Sequence, residues 1–546
     1  MKNGVMKKLF LAGLLLFLAV GVVFIGCDRE AEEEAAAKAE EKEETEEEKA
    51  AREDKETLVY ATTDKIQDMD PANAYDFHTW ELFRNLGRGL LSYKPGTTEL
   101  VPGLATEYSV NDAGNVFTFT LREGVNFSDG TPFNAEAVKW SIDRVISLEG
   151  DPSWLVTSFV DSVEVVDEYT VRFNLKGSTG FFPDLVATVP YFPMNPNIYP
   201  EDKWINDPSE LEGGELAGLG PYKLVSYKRD EELVFEKNPE FYGEEPEIDR
   251  IVVRYYADAT TMRLALERGE VDLVYKDLNP SDKKDLLGMD EYASYVIPGS
   301  QIRYLCFETS ESVFQDKRLR QAVGALIDRQ AIIDKVFLGQ MEPLYSMVPK
   351  GMKWHTDNFK DALGDGNVDL ANELLSEAGY SADNPLSFEL WYTPSHYGDT
   401  EVDVAEVMRV QFEESDLVDV TVKSAEWSTY IDNFDTKSMP SFLLGWYPDY
   451  MDPDNYTAAF AQTSGSKGMG IYFSDPEWDA LFEKEQQTPD QEVREDVLKK
   501  IQEMWTDECP TVPILQGKLY IFAQPDVKGV IVGTDMVLWY NTLYFE

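Results

Sequence analysis

The sequence predicts two α/β domains, the first interrupted by a strand-rich insert. Three observations carry this. Residues 57–546 are free of low-complexity sequence and long enough for two to four domains. Short apolar strand runs alternate with helical runs in two blocks. Between the first strands of the first block lie two runs of strict period-2 alternation, VFTFTL (116–121) and YTVRFNL (169–175), the pattern of half-buried strands.

Taken in order, LVYAT (58–62) reads as the first strand, and a loop over 64–73 carries the Asp70-Pro71 break. Residues 82–91 are apolar and amphipathic enough for a helix. Ser128-Asp129-Gly130-Thr131-Pro132 is a tight turn, after which Asn134 caps a helix with Val138, Ile142 and Val145 on one face. Gly218-Leu219-Gly220-Pro221 is a loop, 233–236 and 251–256 are strands, 260–268 is a helix stopped by Gly269, and 271–275 is a buried strand. The second block begins with a strand at 303–307. Ala371, Leu374, Leu375 and Ala378 keep helical spacing up to Gly379. Strands follow at 388–392, 420–423 and 441–444, with a helix around 404–412. A helix at 493–505 then leads to two strands, 512–515 and 520–523.

The first residues are not part of this body. Lys2, Lys7 and Lys8 precede an apolar run over 9–25 and then Gly26-Cys27, the layout of a secretory signal or of an uncleaved membrane anchor. Residues 28–56 hold 15 acidic and 6 basic residues and no Val, Ile, Leu or aromatic residue. Such a stretch cannot bury a core and is read as a tether, about 100 Å long if fully extended. Beyond it 86 acidic residues face 40 basic ones. That imbalance argues against nucleic acid or anionic lipid as partner and suits a surface working at high ionic strength. Cys306 and Cys509 are expected as two separate buried thiols. His78, His355 and His396 are isolated, and neither a metal nor another cofactor is implied.

The stretch GWYPDYMDPDNY (445–456) puts four aromatics, three aspartates and two prolines directly after an apolar strand. Proline ends the strand, and a rigid loop at a strand end is a usual seat for binding groups. An aspartate against a Trp or Tyr wall holds an ammonium by ion pairing and cation–π attraction. The competing reading is an Asp-Pro turn whose carboxylates cap backbone amides.

This stretch and five others, FSDGTPFNAEAVKWSIDRV (127–145), GLGPYKL (218–224), KNPEFYG (237–243), LALERGEVDLV (264–274) and RLRQAVGALIDRQAI (318–332), together resemble the family-5 solute-binding proteins of ABC importers, the oligopeptide, dipeptide and nickel group. The likeness runs in order over nearly all of the body. It implies an α/β, three-lobed class II periplasmic-binding-protein fold with the ligand cleft between two α/β lobes. Lobe I would be 58–90, 220–300 and 514–546, lobe II 91–219, and lobe III 301–513, with hinge strands near 303–307 and 512–515. Phe24-Ile25-Gly26-Cys27 resembles the lipobox of bacterial lipoproteins, which implies a leader over 1–27, a lipid anchor on Cys27 and a tether over 28–57.

The resemblance also implies roles. Asp449 corresponds to the aspartate that receives a peptide's α-ammonium, with Trp446, Tyr447 and Trp427 on the cleft wall and Tyr75 on the ligand side. Dipeptide-binding members carry an arginine shortly after the strand that is 390–392 here, where it clamps the ligand carboxylate. The counterpart stretch, 394–398, holds His396 and Tyr397 but no arginine. The implied function is a monomeric, membrane-tethered subunit that captures peptides and delivers them to an ABC permease by hinge closure, with oligosaccharides as the alternative ligand. A secreted hydrolase or an adhesive lipoprotein are the readings from other classes. No GxSxG, HExxH or phosphate-binding glycine loop supports an enzyme.

Overall fold

The computed structural model describes residues 56–546 apart from 67, 212–214, 277, 395, 399 and 534; the leader, Cys27 and all but the end of the tether lie outside the described residues. The strands of its two larger sheets are numbered here β1–β14. In the first block they are β1 (Thr57–Thr62), then the insert strands β2 (Ala105–Val110), β3 (Val116–Leu121), β4 (Val160–Asp167) and β5 (Thr170–Leu175). Next come β6 (Tyr222–Lys228), β7 (Glu232–Lys237), β8 (Arg250–Tyr255) and β9 (Leu273–Tyr275). The remaining strands are β10 (Ala293–Phe307), β11 (Leu386–Tyr392), β12 (Val418–Ser424), β13 (Ser441–Trp446) and β14 (Thr511–Ala523).

The two blocks expected as separate α/β domains share one sheet, ordered β12-β11-β13-β10-β14-β9-β1-β8-β7-β6, with the short strand Glu342–Pro343 also paired to β14. The physical reason is the length of two strands. β10 and β14 run antiparallel from Ala293↔Ala523 to Cys306↔Thr511 and hydrogen-bond to both halves. Only the last third of β10 was legible, because Pro298 and Gly299 interrupt its apolar pattern; the pairing is irregular between Pro298 and Ile302. Likewise the strands expected at 512–515 and 520–523 are one. Gly517 lies inside it, where a Cβ would strike the Gln301 side chain. Residues 308–510 therefore leave the end of β10 and return at the start of β14.

The insert keeps its period of two. Phe117, Phe119 and Leu121 of β3 and Val171, Phe173 and Leu175 of β5 are buried, in a four-stranded antiparallel sheet ordered β2-β3-β5-β4. Asn134 accepts from the Ala137 amide and caps the helix Ala135–Leu148, which buries Val138, Ile142 and Val145. From that helix Arg144 reaches Asp70 through two bonds of 2.7 and 2.6 Å, both side chains fully buried, and so ties down the Asp70-Pro71 loop.

The helix expected at 82–91 begins and ends earlier, at Phe77–Leu86. Asp76 caps it by accepting from the Thr79 amide, and the chain is extended at Gly87. Leu90 is buried at a bend and Leu91 at the start of the short strand Leu91–Tyr93. The apolar run that suggested a helix marks burial, which extended segments share. Cys306 and Cys509 are separate buried thiols. Burial pushes both up, Cys509 to about 12, so neither is a reactive thiolate.

Candidate functional site

β13 is buried up to Gly445, and Pro448 forbids its continuation. The chain then turns into a short 3-10 helix, Pro453–Tyr456, capped by Asp452, whose carboxylate accepts from the Asp454 amide. The three aspartates of the stretch thereby separate. Asp452 caps and pairs, as the turn reading expected. Asp454 accepts from the Tyr450 hydroxyl at 2.6 Å and the Gln486 amide at 2.8 Å, so it too is structural.

Asp449 is different. Its Oδ1 accepts from the Tyr75 hydroxyl at 2.5 Å and its Oδ2 from Asn455 Nδ2 at 3.1 Å, and among the described residues no cationic side chain pairs with it. Burial raises its pKa above the usual carboxylate value, and the bonds from Tyr75 and Asn455 only partly offset this. Burial and the facing carboxylate push the Tyr75 hydroxyl well up, so it stays a donor. The Tyr75 ring, 43% exposed, lies beside Trp80 at 5.9 Å.

Asn455 organises the stretch. Its Oδ1 accepts from the Trp446 indole at 3.0 Å and from the Asp449 amide at 3.1 Å, while its Nδ2 holds the Asp449 carboxylate. The Trp446 ring is set edge-on against buried Phe460 at 5.1 Å. Tyr447 packs on Phe77, the first residue of its helix, at 5.2 Å. The loop after β1, the start of the helix Phe77–Leu86, and β13 with its loop thus supply the two sides of one aromatic-lined site.

The other predicted residues join through Arg303, on β10 directly opposite Gly445. Its guanidinium lies 4.5 Å from the Tyr397 ring and 5.8 Å from the Tyr447 ring. A Cβ on Gly445 would strike Arg303 Nη1 and come within 2.9 Å of Tyr397, so the first glycine of the stretch is there to admit the arginine. Tyr397 donates to the Gly445 carbonyl at 3.1 Å. Exposed His396 stacks flat on Trp427 at 3.7 Å and 5°, and Tyr397 meets Trp427 edge-on at 5.7 Å. Burial and Arg303 both lower the His396 pKa, which keeps the ring neutral near pH 7.

All seven residues expected at the ligand side therefore fall into two connected groups, Tyr75–Asp449–Trp446 through Asn455 and Tyr447–Tyr397–Trp427–His396 through Arg303. Sequence reasoning missed Asn455, Phe77, Arg303 and its partner Glu401, which accepts from the Arg303 Nε at 3.2 Å. One signal was available: Arg303 is a lone charge in the otherwise apolar run 302–307.

Next to the site lies a buried charge cluster. Arg494 holds Asp452 through two bonds of 2.8 and 2.7 Å and reaches Glu485 at 2.8 Å, with all three side chains fully buried. Lys353 pairs with Asp452 at 2.7 Å and, at 3.8 Å, with Asp184 of the insert. Phe181 of the insert stacks on Tyr450 at 5.1 Å and 7°, and Gly180 donates to the Gln486 carbonyl at 2.7 Å. These contacts fix the loop bearing Asp449 against the insert.

Comparison with known proteins bears on the family and the fold. Residues 99–468 match the family model described as bacterial extracellular solute-binding proteins, family 5 middle. The oligopeptide-binding protein OppA of Bacillus subtilis is 25% identical over 470 residues, covering 81% of this chain and 84% of the relative. The dipeptide-binding protein of Escherichia coli K12 is 25% identical over 512 residues, 88% of this chain and 93% of the relative. Among solved structures, DppA from Helicobacter pylori in complex with the peptide STSA superposes with a TM-score of 0.71 at 24% identity, over 91% of this chain and all of that one. The mixed α/β architecture is that of the periplasmic binding proteins. The chain belongs to family 5 of the bacterial extracellular solute-binding proteins, as a non-enzymatic, extracytoplasmic solute-binding component of an ABC importer.

Proposed function

We propose that this importer subunit takes peptides, with Asp449 receiving the ligand's amino terminus. The observation that carries the reading is a carboxylate set among aromatic rings, oriented by Tyr75 and Asn455, with no cation among the described residues to neutralise it. A ligand ammonium supplies the missing charge, and Tyr75, Trp446 and Tyr447 wall it in. Two relatives named for oligopeptide and dipeptide binding support the same ligand class. Oligosaccharide stacking has less support. The Trp427 face is covered by His396, and Trp446 is tied by its indole to Asn455 and edged against Phe460.

In this reading 308–510 form most of lobe III, pivoting on β10 and β14 near 303–307 and 512–515. Lobe I comprises 58–90, 220–300 and 514–546, and lobe II is 91–219. Closure brings Asp449 and Tyr447 against Tyr75 and Phe77, the contacts of the present arrangement, and the closed form docks on the permease. The body is held at the membrane by a lipid on Cys27, and mass spectrometry of protein extracted from membranes is expected to show an acylated N-terminal cysteine. An unmodified Cys27 in the membrane fraction would leave the apolar run at 9–25 as the anchor.

The deciding measurement is thermal stability of residues 57–546 against di- to pentapeptides, oligosaccharides and nickel complexes. A ligand at 100 times its Kd is expected to stabilise the fold by about 2.7 kcal/mol. Shifts confined to sugars would overturn the peptide reading.

A further inference from the structure

The motif KNPEFYG (237–243) supplies nothing to the site described above, yet its aromatic pair lies against an arginine that is held unlike the others. Six arginines are buried among the described residues. Five of them, Arg84, Arg144, Arg320, Arg329 and Arg494, have a carboxylate within 2.6–3.5 Å. The sixth, Arg88, is 6% exposed and pairs with no carboxylate among the described residues. Its Nη1 donates to the Arg84 carbonyl at 2.6 Å, and its guanidinium lies 5.6 Å from the Phe241 ring and 5.2 Å from the Trp539 ring. Its Nε and Nη2 reach no acceptor among the described residues. Asp535, on the same C-terminal segment as Trp539, is taken by Arg84 at 3.1 Å. Burial pulls the Arg88 pKa down to about 10, so the guanidinium keeps its charge at neutral pH. Arg122, the residue after β3, is a second guanidinium without an ion pair among the described residues: it donates to the Gly103 carbonyl at 2.6 Å and lies 5.1 Å from the Tyr242 ring. Burial raises the pKa of the Tyr242 phenol, and Arg88 and Arg122 both oppose that rise. The Trp539 indole N–H is buried and has no acceptor either.

In a chain of net charge −52 carboxylates are plentiful, and buried cations are ordinarily paired. Here Arg84, Arg88, Arg122 and an indole N–H share one carboxylate, Asp535. The flanking rings of Phe241 and Trp539 offset part of the cost of burying Arg88, but they leave its N–H donors unmet. We propose that Arg88 anchors a second binding site, for a small tetrahedral oxyanion such as phosphate or sulfate, where the chain just beyond the helix Phe77–Leu86, the KNPEFYG motif and the Trp539 segment meet the insert at Arg122. The Nε–Nη2 edge of a guanidinium is a pair of parallel donors that matches two oxygens of one oxyanion, whereas a halide offers a single acceptor. Arg122 brings a second positive charge and Trp539 a further donor, which favours a doubly charged tetrahedral anion over a carboxylate. This site is separate from Asp449 and its aromatic walls, and the inference holds whichever solute the cleft takes.

The test is calorimetric titration of the purified full chain, in detergent, with sodium phosphate and with sodium sulfate. Sodium chloride holds the ionic strength constant throughout, which removes the general screening of an acidic surface from the comparison. The wild type is expected to take up either anion saturably over the chloride background, at about one anion per chain. Arg88→Gln is expected to weaken both anions by about tenfold or more. Uptake by the wild type that does not saturate would overturn the proposal, and so would an Arg88→Gln variant that folds and binds both anions as the wild type does. If that variant does not fold, Trp539→Phe decides. It keeps a ring beside the guanidinium and removes only the N–H, so a loss of about threefold or more in phosphate affinity is expected; an unchanged affinity overturns the proposal.

Discussion

Replacing Arg494 by methionine is expected to destabilise the body by about 3–5 kcal/mol, the cost of leaving buried charge without its partner. Arg494 is the hub of its cluster, bonded twice to Asp452 and to both the carboxylate and the backbone carbonyl of Glu485. Burial opposes the charge on Asp452, but Arg494 and Lys353 outweigh it and hold this carboxyl well below the usual range. The effect on pH follows from that sign. A depressed folded pKa contributes stability that is present above the unfolded value, about 4, and is lost as pH falls below it. Without Arg494 the Asp452 pKa rises and that contribution disappears. The deficit of the variant is therefore expected to be largest and flat from neutral pH down to about pH 5, to begin shrinking near the unfolded value of about 4, and to close only as pH falls on toward the depressed Asp452 value. Denaturant midpoints at several pH values read this directly. A loss under about 1 kcal/mol at pH 7 would show that the cluster relaxes or admits water. Because Lys353 and Asp184 link the cluster to the insert, the variant is also expected to loosen the loop that carries Asp449.

Asp449→Ala is expected to cost about 2–4 kcal/mol of affinity for a peptide with a free amino terminus, roughly 30- to 1,000-fold in Kd. A peptide with an acetylated amino terminus binds weakly to the wild type and is expected to be nearly indifferent to the change. The pH dependence has a definite direction. Asp449 is raised above its ordinary value by burial, and an ammonium needs the ionised form, so bound ligand lowers its pKa. Affinity is then constant well above the unliganded pKa and falls as pH drops through it, with a proton released on binding in that window. Calorimetry in buffers of different ionisation enthalpy measures that proton. Unchanged affinity in Asp449→Ala would return this residue to the turn role that Asp452 and Asp454 hold.

Much of this protein was legible without coordinates because the signals were local. Period-2 runs buried one face of β3 and β5, Asn134 capped its helix, and Gly269 and Gly379, both in the left-handed region, stand at the ends they were read to mark. The order of six motifs was enough to indicate the family. What the sequence alone could not decide were matters of pairing between distant segments. Continuity of β10 and β14 depends on hydrogen bonds between residues more than 200 positions apart, and it carries the strand across Pro298 and Gly517, which read locally as breaks. The three aspartates of 445–456 are equivalent in composition. Only the arrival of Arg494 and Lys353 at Asp452, of Gln486 at Asp454 and of Tyr75 at Asp449 makes two of them structural and leaves the third without a cation among the described residues. Arg303 shows the same division. Its oddity in an apolar strand is visible in the sequence, but its place between Tyr397 and Tyr447, above a glycine that gives it room, exists only once three segments have folded together.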